Sequence, residues 1–390
     1  MRKLFILWTL SVLVLLPVPL ALGCRPAAEA AAQHNDRGID LGKEGRYTEA
    51  IAEFIMAIRE DPELAEAYSN RAYAYTKKGE YDKAIADCDK AIELDANLAL
   101  AYSSRAYAYT KKGEFDKAIA DCNKAIEMVP ELAQAYLYRG YAYSWKGEID
   151  MEVADYSKAI ELDPNLAEAY VNRGAAYVEK GEFDKAIADY DKAIELDPNL
   201  ALAYNSRAYA YTKKGEYDKA IADCDKAIEL DPNLALAYNS RAYAYTKKGE
   251  YDKAIADYNK AIELDPKLAE AYANRGAAYV EKGEYDKAIA DCDKAIELDP
   301  EVSVLYVNRG IVYAMKGEFD KAIPDYDKAI QLDSKYARPY YFRGVAYKAL
   351  GRNTEAIADF KTCIKLTQEP SMIQAAKEAL QKLQSRWPQH

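Results

Sequence analysis

The side chains that most often carry chemistry are either rare in this sequence or evenly spaced along it. Histidine occurs only as His34 and His390, both near the ends of the chain. Carboxylates are abundant, but they recur at regular intervals with lysines close by, as in residues 217–230. That spacing is typical of a solvated helix face. The sequence contains no glycine-rich phosphate loop, nucleophile elbow or metal-ligand spacing. It therefore predicts a protein that is not an enzyme and needs no cofactor or metal.

The composition also limits the kind of partner. The 390 residues have a net charge of −11, which is unfavourable for binding nucleic acid. Tyrosine occurs 35 times and phenylalanine only 7 times. Because tyrosine combines a large apolar face with a hydrogen-bonding tip, this bias suits half-buried packing and protein recognition.

A period of 34 residues organises the chain from residue 31 to residue 370. Repeats 1 to 10 are 31–64, 65–98, 99–132, 133–166, 167–200, 201–234, 235–268, 269–302, 303–336 and 337–370. In repeat 6, apolar and small residues recur at helical spacing in residues 202–214 and 217–230, Gly215 separates the two segments, and Asp231-Pro232 ends the repeat. This order predicts two helices with a glycine stop between them. Such short helices are marginal alone and must stack on their neighbours.

The pattern of small and large residues resembles the tetratricopeptide repeat. In repeat 6 the small residues are Ala208, Ala220 and Ala227 at positions 8, 20 and 27, and the large ones are Tyr204, Tyr211 and Tyr217 at positions 4, 11 and 17. The resemblance implies an all-α fold, a right-handed α-solenoid of ten helix-turn-helix units with a concave inner face. Residues 371–390 follow as a capping helix and tail, in which Met372, Ile373, Ala376, Leu380 and Leu383 would cover the last hairpin.

The N-terminus has the layout of an export signal. Arg2 and Lys3 precede an uncharged apolar stretch that ends at Gly23 and Cys24. Residues 1–24 resemble a bacterial lipoprotein signal, which implies lipidation of Cys24. An uncleaved membrane helix is the alternative, because about 20 apolar residues can span a bilayer. Residues 25–30 would form a tether.

Each repeat has an arginine at position 7 and an acid at position 23, such as Arg309 and Asp325, or Arg37 and Glu53 in repeat 1. A guanidinium at this position would be partly desolvated and would need an acceptor. We expect a ladder of structural ion pairs between the two helices of each repeat. A row of ligand-binding arginines is the alternative.

Five cysteines fall on repeat positions that face the predicted interior. Cys88, Cys122, Cys224 and Cys292 occupy position 24, where the other repeats have tyrosine or phenylalanine, and Cys363 occupies position 27. Equivalent positions of neighbouring hairpins should lie about 8–10 Å apart, too far for a disulfide. We therefore expect buried free thiols.

The family resemblance places the ligand on the first helix of each repeat, at positions 2, 5, 6, 9, 12 and 13. Tyrosines and short amides there suit an extended peptide, because aromatic faces provide contact area and amides bind a peptide backbone. The candidate residues are Asn70, Tyr73, Tyr107, Tyr138, Tyr141, Trp145, Asn172, Tyr209, Tyr243, Asn274 and Asn308. The alternative is that the position-9 tyrosines only pack against the next hairpin.

Repeats 4 and 9 depart from the pattern. In repeat 4, Tyr138, Tyr141 and Trp145 share one helix face and could form an anchor pocket, while Glu152 occupies a position normally held by buried alanine. The alternative is a degenerate, loosely packed repeat. In repeat 9, Pro324 lies inside the second helix, where it should remove a backbone hydrogen bond and bend the helix.

Together these features predict an exported, membrane-anchored scaffold of the bacterial cell envelope. It would bind proteins or peptides through its concave face and would not bind nucleic acid. The alternative is an array that self-associates end to end. The sequence does not identify the partner, the oligomeric state or the pathway served.

Overall fold

The computed structural model describes residues 24–386, and every regular element among them is an α-helix. The helices form consecutive hairpins. They are α1 (Cys24–Lys43), α2 (Tyr47–Glu60), α3 (Ala65–Lys77), α4 (Tyr81–Leu94), α5 (Ala99–Lys111), α6 (Phe115–Met128), α7 (Ala133–Lys146), α8 (Ile149–Leu162), α9 (Ala167–Glu179), α10 (Phe183–Leu196), α11 (Ala201–Lys213), α12 (Tyr217–Leu230), α13 (Ala235–Lys248), α14 (Tyr251–Leu264), α15 (Ala269–Glu281), α16 (Tyr285–Leu298), α17 (Ser303–Met315), α18 (Phe319–Leu332), α19 (Ala337–Ala349), α20 (Asn353–Leu366) and α21 (Pro370–Arg386). The predicted all-α solenoid architecture is thus confirmed.

The helices belong to two compact units. The first ends at Pro164 and contains α1 to α8, and the second begins at Asn165 and contains α9 to α21. In both units an odd-numbered helix, the A helix of its repeat, pairs with the even-numbered B helix that follows. A helices of successive repeats also touch, as α3 and α5 do in the first unit and α11 and α13 in the second.

Glycine at position 15 ends each A helix. Its φ lies between 71° and 81° in all ten repeats, a left-handed conformation in which a Cβ is strained. In repeat 6, Gly215 N–H donates to Thr212 C=O at 3.0 Å and Glu216 N–H donates to Tyr211 C=O at 2.9 Å. These bonds satisfy carbonyl groups at the end of α11, and the next helix, α12, begins directly afterwards at Tyr217.

Alanines at the helix crossings allow the hairpins to pack closely. Ala220 and Ala227 of repeat 6 are fully buried, as are most of their equivalents. Position 24 of the B helix faces position 8 of the A helix. Where position 24 is aromatic, position 8 is usually glycine, and a Cβ built at Gly310 would lie 2.6 Å from the ring of Tyr326. Repeats 2, 3 and 6 instead pair alanine with cysteine.

The predicted ladder of ion pairs is present in repeats 2 to 10. Each arginine donates from Nε and Nη2 to both oxygens of its aspartate, at 2.6–2.9 Å. Hydrogen bonding to Asp121 raises the pKa of Arg105. Burial raises the pKa of Asp325, although Arg309 opposes that shift. The arginines are therefore structural groups between the helices.

A third contact links successive repeats. Nη1 of Arg105, Arg241 and Arg309 donates to an aspartate at position 25 of the preceding repeat, at 2.5–2.6 Å. A lysine at position 14 adds a more exposed link, as from Lys248 to Asp218 at 2.6 Å. These contacts fix the register between hairpins, and the sequence pattern alone did not predict them.

The expected pair in repeat 1 is absent, and that prediction was wrong. His34 Nδ1 lies 2.6 Å from an oxygen of Glu53, and Arg37 is exposed. His34 occupies the position that tyrosine holds in the other repeats, where it reaches the carboxylate that Arg37 was expected to bind.

The five described position-24 and position-27 cysteines are buried and free, as predicted. Burial raises the pKa of Cys292 to about 12 and that of Cys363 to about 11. At the C-terminus, Ala376 and Leu383 of α21 are buried against Phe360 and Cys363, so α21 covers the last hairpin.

Three further findings concern predicted features. α18 continues through Pro324 without a break in its helical assignment. Glu152 is buried, with 3% of its surface exposed. α1 begins at Cys24, so residues 25–30, the expected tether, are helical.

The expectations for residues 1–23 and for the side chain of Cys24 lie outside the described residues. Among the described helices, none combines the length and apolar character that crossing a bilayer requires.

Candidate functional site

The candidate residues lie on the A helices. We define the A-helix surface as positions 2, 5, 6, 9, 12 and 13 of the repeats, and we describe it separately in the two compact units. The helix of each repeat presents positions 9 and 13 one turn apart, so their side chains meet. Several of these positions change from repeat to repeat, and position 9 is tyrosine, alanine, isoleucine or valine.

In the first compact unit, tyrosine rings and lysines alternate along α3 and α5. The ammonium group of Lys77 lies 5.3 Å from the ring centroid of Tyr73 and 5.6 Å from that of Tyr107. Lys111 lies 5.2 Å from the Tyr107 centroid. Cation–π contacts of this kind hold the rings in place while leaving part of each face accessible. Tyr73 remains 38% exposed.

An aromatic cluster continues this surface onto α7. The rings of Tyr107 and Tyr138 stack with centroids 4.6 Å apart, and Tyr141 lies 6.2 Å from Tyr107 and 6.1 Å from Tyr138. Tyr138 is buried, whereas Tyr141 is half-buried. The position-9 tyrosines therefore do pack against the neighbouring hairpin, and they also present an edge or face at the surface.

Trp145 does not join this cluster through a ring contact. It stacks on Phe115 with centroids 6.0 Å apart and ring planes 6° from parallel. Its side chain is 72% exposed. The three aromatic residues predicted as one anchor therefore have different environments. Tyr138 is buried against Tyr107, Tyr141 is half-buried, and Trp145 is exposed near the end of α7.

In the second compact unit, α11 and α13 repeat the arrangement of tyrosine and lysine. Lys213 lies 4.8 Å from the Tyr209 centroid and 5.7 Å from the Tyr243 centroid, and Lys247 lies 5.1 Å from the latter. Interaction with Tyr209 raises the pKa of Lys213. Tyr209 is 38% exposed. This lysine is therefore a fixed positive charge at neutral pH.

The amides have different surroundings. Asn70 donates to Asn35 Oδ1 at 3.0 Å, and Asn172 donates to the carbonyl of Glu168 at 2.5 Å. Asn274 lies at the edge of hydrogen-bond range of Asn239, at 3.5 Å. Asn308 lines a pocket with Gly276 and Cys292. The amides of Asn70 and Asn172 thus already make hydrogen bonds within the protein, whereas Asn308 faces the open pocket.

Position 9 is not required to be tyrosine for the hairpin to form. It is alanine in α9 and α15, as Ala175 and Ala277, and both of these helices keep the same length and the same glycine turn. The position-9 tyrosines of α3, α5, α11 and α13 are consequently not needed for the hairpin to form. Within residues 24–386, no group of three metal-ligating side chains is close enough to hold an ion.

Comparisons with known proteins agree with this architecture. Three models described as tetratricopeptide repeat match the chain. The first matches residues 65–98, 99–132, 167–200, 201–234 and 269–302, the second matches 224–256 and 292–323, and the third matches 337–370. A model described as TPR repeat matches residues 41–79, 145–181, 242–283 and 310–351. No curated protein matches the sequence significantly.

Solved structures share the fold at low identity. The APC/C hetero-tetramer Cut9–Hcn1 matches with a TM-score of 0.57 and 18% identity, covering 81% of this chain and 76% of that one. The human IFIT1 dimer with m7Gppp-AAAA has a TM-score of 0.54 and 17% identity over 87% of this chain and 90% of that one. A tetratricopeptide repeat protein from Parabacteroides merdae has a TM-score of 0.51 and 22% identity over 64% of this chain and 98% of that one. The repeat models, whose combined matches run through residues 41–132 and 145–370, establish that the chain belongs to the tetratricopeptide repeat family.

Proposed function

We propose that this protein is a non-catalytic scaffold of the bacterial cell envelope that binds proteins or peptides through its A-helix surface. The observation that carries the proposal is the tyrosine–lysine surface of α3, α5, α11 and α13. Its rings stay partly exposed although the fold forms equally with alanine at the same position. Ordered, partly exposed aromatic side chains are enriched at the centres of protein interfaces.

The chemistry of the surface favours a polypeptide ligand. The tyrosines offer flat apolar area, and neighbouring lysines would attract carboxylates of a bound segment. Across the described B helices, α2 to α20, the exposed side chains are mainly charged. Lysines there pair with glutamates at i,i+3, such as Lys226 with Glu229 at 2.8 Å. Pairs of this kind form a solvated face.

The test compares matched variants of the full chain as bait in solubilised membranes. One variant replaces Tyr73, Tyr107, Tyr209 and Tyr243 with alanine. The control replaces four exposed B-helix alanines, Ala86, Ala120, Ala222 and Ala256, with lysine. We expect the tyrosine variant to lose captured proteins that the wild type and the control retain. Equal capture by all three would contradict the assignment of the surface, and capture of further copies of the chain alone would favour a self-associating array.

The proposed membrane attachment rests on the sequence of residues 1–24, with Arg2 and Lys3, the apolar stretch and Cys24. Lipidation predicts that Cys24→Ser shifts the protein from the membrane to the soluble fraction and abolishes incorporation of a labelled fatty acid. Membrane association that survives Cys24→Ser would favour the uncleaved helix. A wild-type protein found only in the soluble fraction would overturn the attachment.

A further inference from the structure

A pocket of about 160 Å3 opens on the A-helix surface of repeat 8, inside the second compact unit. Ala277 and Val280 of α15 and Ile311 of α17 form apolar walls, and Cys292 of α16 lies at its inner end. Cys292 is 4% exposed. Asn308 contributes the polar part of the wall.

Repeat 5 shows what normally fills this space. Its A helix differs from that of repeat 8 only at Val171, which is Ala273 in repeat 8, and its B helix has Tyr190 where repeat 8 has Cys292. A Cβ built on Gly174 would lie 2.7 Å from the Tyr190 ring, so the ring covers the glycine. In repeat 8 the glycine remains as Gly276, but the nearest atom from position 24 is the Cys292 sulfur, 3.6 Å from the same Cβ. Repeat 8 thus keeps the glycine that accommodates a ring and lacks the ring.

The size and chemistry of the pocket select an aromatic occupant. A protein cavity of about 150 Å3 lined by apolar side chains accepts a benzene molecule. A thioether or thiol sulfur at the end of such a pocket favours contact with an aromatic ring. The phenyl group of phenylalanine or tyrosine would supply the ring that Tyr190 provides in repeat 5 and that repeat 8 lacks.

One acidic side chain lies at the rim of the pocket. Glu281, the last residue of α15, lines the pocket, is exposed and has no ion-pair partner among residues 24–386. In repeats 6 and 7 the residue equivalent to Glu281 is a lysine, Lys213 or Lys247. Charge complementarity therefore favours a basic residue beside the inserted ring.

We infer that the pocket of repeat 8 receives a phenylalanine or tyrosine side chain of a partner polypeptide, with an adjacent arginine or lysine facing Glu281. The inference rests on the proposed function, because it assigns one specificity-determining position on the A-helix surface. The apolar walls bind the ring, the Asn308 amide is placed to bond the partner's backbone, and Glu281 selects the charge of the neighbouring residue.

The test uses the full-length protein and the probe N-acetyl-(4-fluorophenylalanyl)-arginine amide, followed by 19F NMR. Cys292→Tyr refills the pocket with the residue that repeats 5 and 9 carry opposite glycine. Cys224→Tyr is the matched control, because it makes the same change in repeat 6, away from the pocket. Repeat 7, with Ala242 opposite Tyr258, shows that alanine and tyrosine are compatible there.

We expect Cys292→Tyr to weaken probe binding at least about tenfold, the effect of losing burial for an aromatic ring, and Cys224→Tyr to leave it unchanged. Ala277→Tyr, which introduces the tyrosine found at position 9 of repeats 2, 3, 6 and 7, should block the pocket mouth equally, while Ala175→Tyr in repeat 5 should not. This second pair decides the test if Cys292→Tyr does not fold. Glu281→Gln should weaken binding of the arginine probe about two- to fivefold and not that of its glutamine analogue.

No saturable binding by the wild type, or equal binding by the wild type, Cys292→Tyr and Ala277→Tyr, would overturn the inference. That result is distinguishable from failure of the proposed function. Loss of capture in the four-tyrosine variant concerns α3, α5, α11 and α13, and it can be observed whether or not the pocket of repeat 8 binds a ring.

Discussion

Two regions of each repeat differ in how much their residues vary. One is the contact between the A and B helices, and the other is the A-helix surface. Between the helices, arginine at position 7 and aspartate at position 23 make the same two bonds in repeats 2 to 10, and alanines cross at the same places. On the A-helix surface, position 9 is tyrosine, alanine, isoleucine or valine. We propose that stability depends on this constant set of contacts and that recognition depends on the changing surface.

The largest expected effect comes from breaking one ion pair between the helices. Asp325→Ala leaves Arg309 without its bidentate acceptor in a site where both side chains are largely buried. We expect a loss of about 3 kcal/mol in the free energy of unfolding, because the largely buried guanidinium then keeps only its contact with the half-exposed Asp293. Lys226→Ala, which removes the exposed pair with Glu229, should cost no more than about 0.5 kcal/mol. Urea denaturation of both variants measures the difference, and equal midpoints would contradict the ladder's structural role.

A smaller effect is expected where a glycine supports a ring. Gly310→Ala places a methyl group within 2.6 Å of Tyr326, and we expect it to destabilise the protein by about 1–3 kcal/mol through overpacking. Gly276→Ala meets no ring, and its closest contact is the Ala288 carbonyl at 3.3 Å. It should change stability by less than about 1 kcal/mol, since alanine also favours the helix. A loss at Gly276 as large as that at Gly310 would contradict the presence of an open pocket.

Alkaline pH should weaken the same packed interior. Burial raises the pKa of Cys363 to about 11 and of Cys292 to about 12, and it also raises the pKa of Tyr190, Tyr258 and Tyr326. The folded state therefore binds these protons more tightly than the unfolded state. Their contribution is complete below about pH 9, the ordinary pKa of cysteine, and is lost as the pH rises towards the folded values. The urea midpoint should stay level from pH 8 to about pH 9 and fall from there to pH 11, and a midpoint that is constant over the whole range would contradict burial of these groups.

The smallest change in stability is expected on the A-helix surface. Trp145→Ala removes a stack on Phe115 in which the tryptophan is mostly exposed. Tyr209→Ala produces the residue already present at position 9 of repeats 5 and 8. Each should change the free energy of unfolding by less than about 1 kcal/mol while reducing partner capture. A larger destabilisation with unchanged capture would assign these side chains to packing.

Much of the fold could be predicted because the period, the glycine stop and the small residues at helix crossings each act within one hairpin. The pairing of Arg309 with Asp325 was predictable for the same reason. Its third bond, to Asp293, was not predictable, because it depends on the register between successive hairpins. The pairing in repeat 1 failed because the position-4 residue is His34, whose ring reaches Glu53.

The sequence predicts which A-helix residues form the candidate surface, but it does not predict how deeply each of them is buried. Tyr138 and Tyr141 share a helix face, yet the neighbouring Tyr107 buries one more than the other. The pocket of repeat 8 depends on two positions in different helices. Gly276 and Cys292 are each ordinary at their positions, and only the structure shows that a glycine suited to a ring faces a side chain without one.

The proposed function depends most on which side of the hairpins contacts the partner. A photo-crosslinking residue, p-benzoylphenylalanine, placed at Tyr209 of the full-length protein in its native cells, should form a crosslink to the partner, while the same residue at the exposed Ala222 of α12 should not. Crosslinking at Ala222 with none at Tyr209 would show that the partner binds the B helices, and it would contradict the proposal that the A-helix surface recognises the partner.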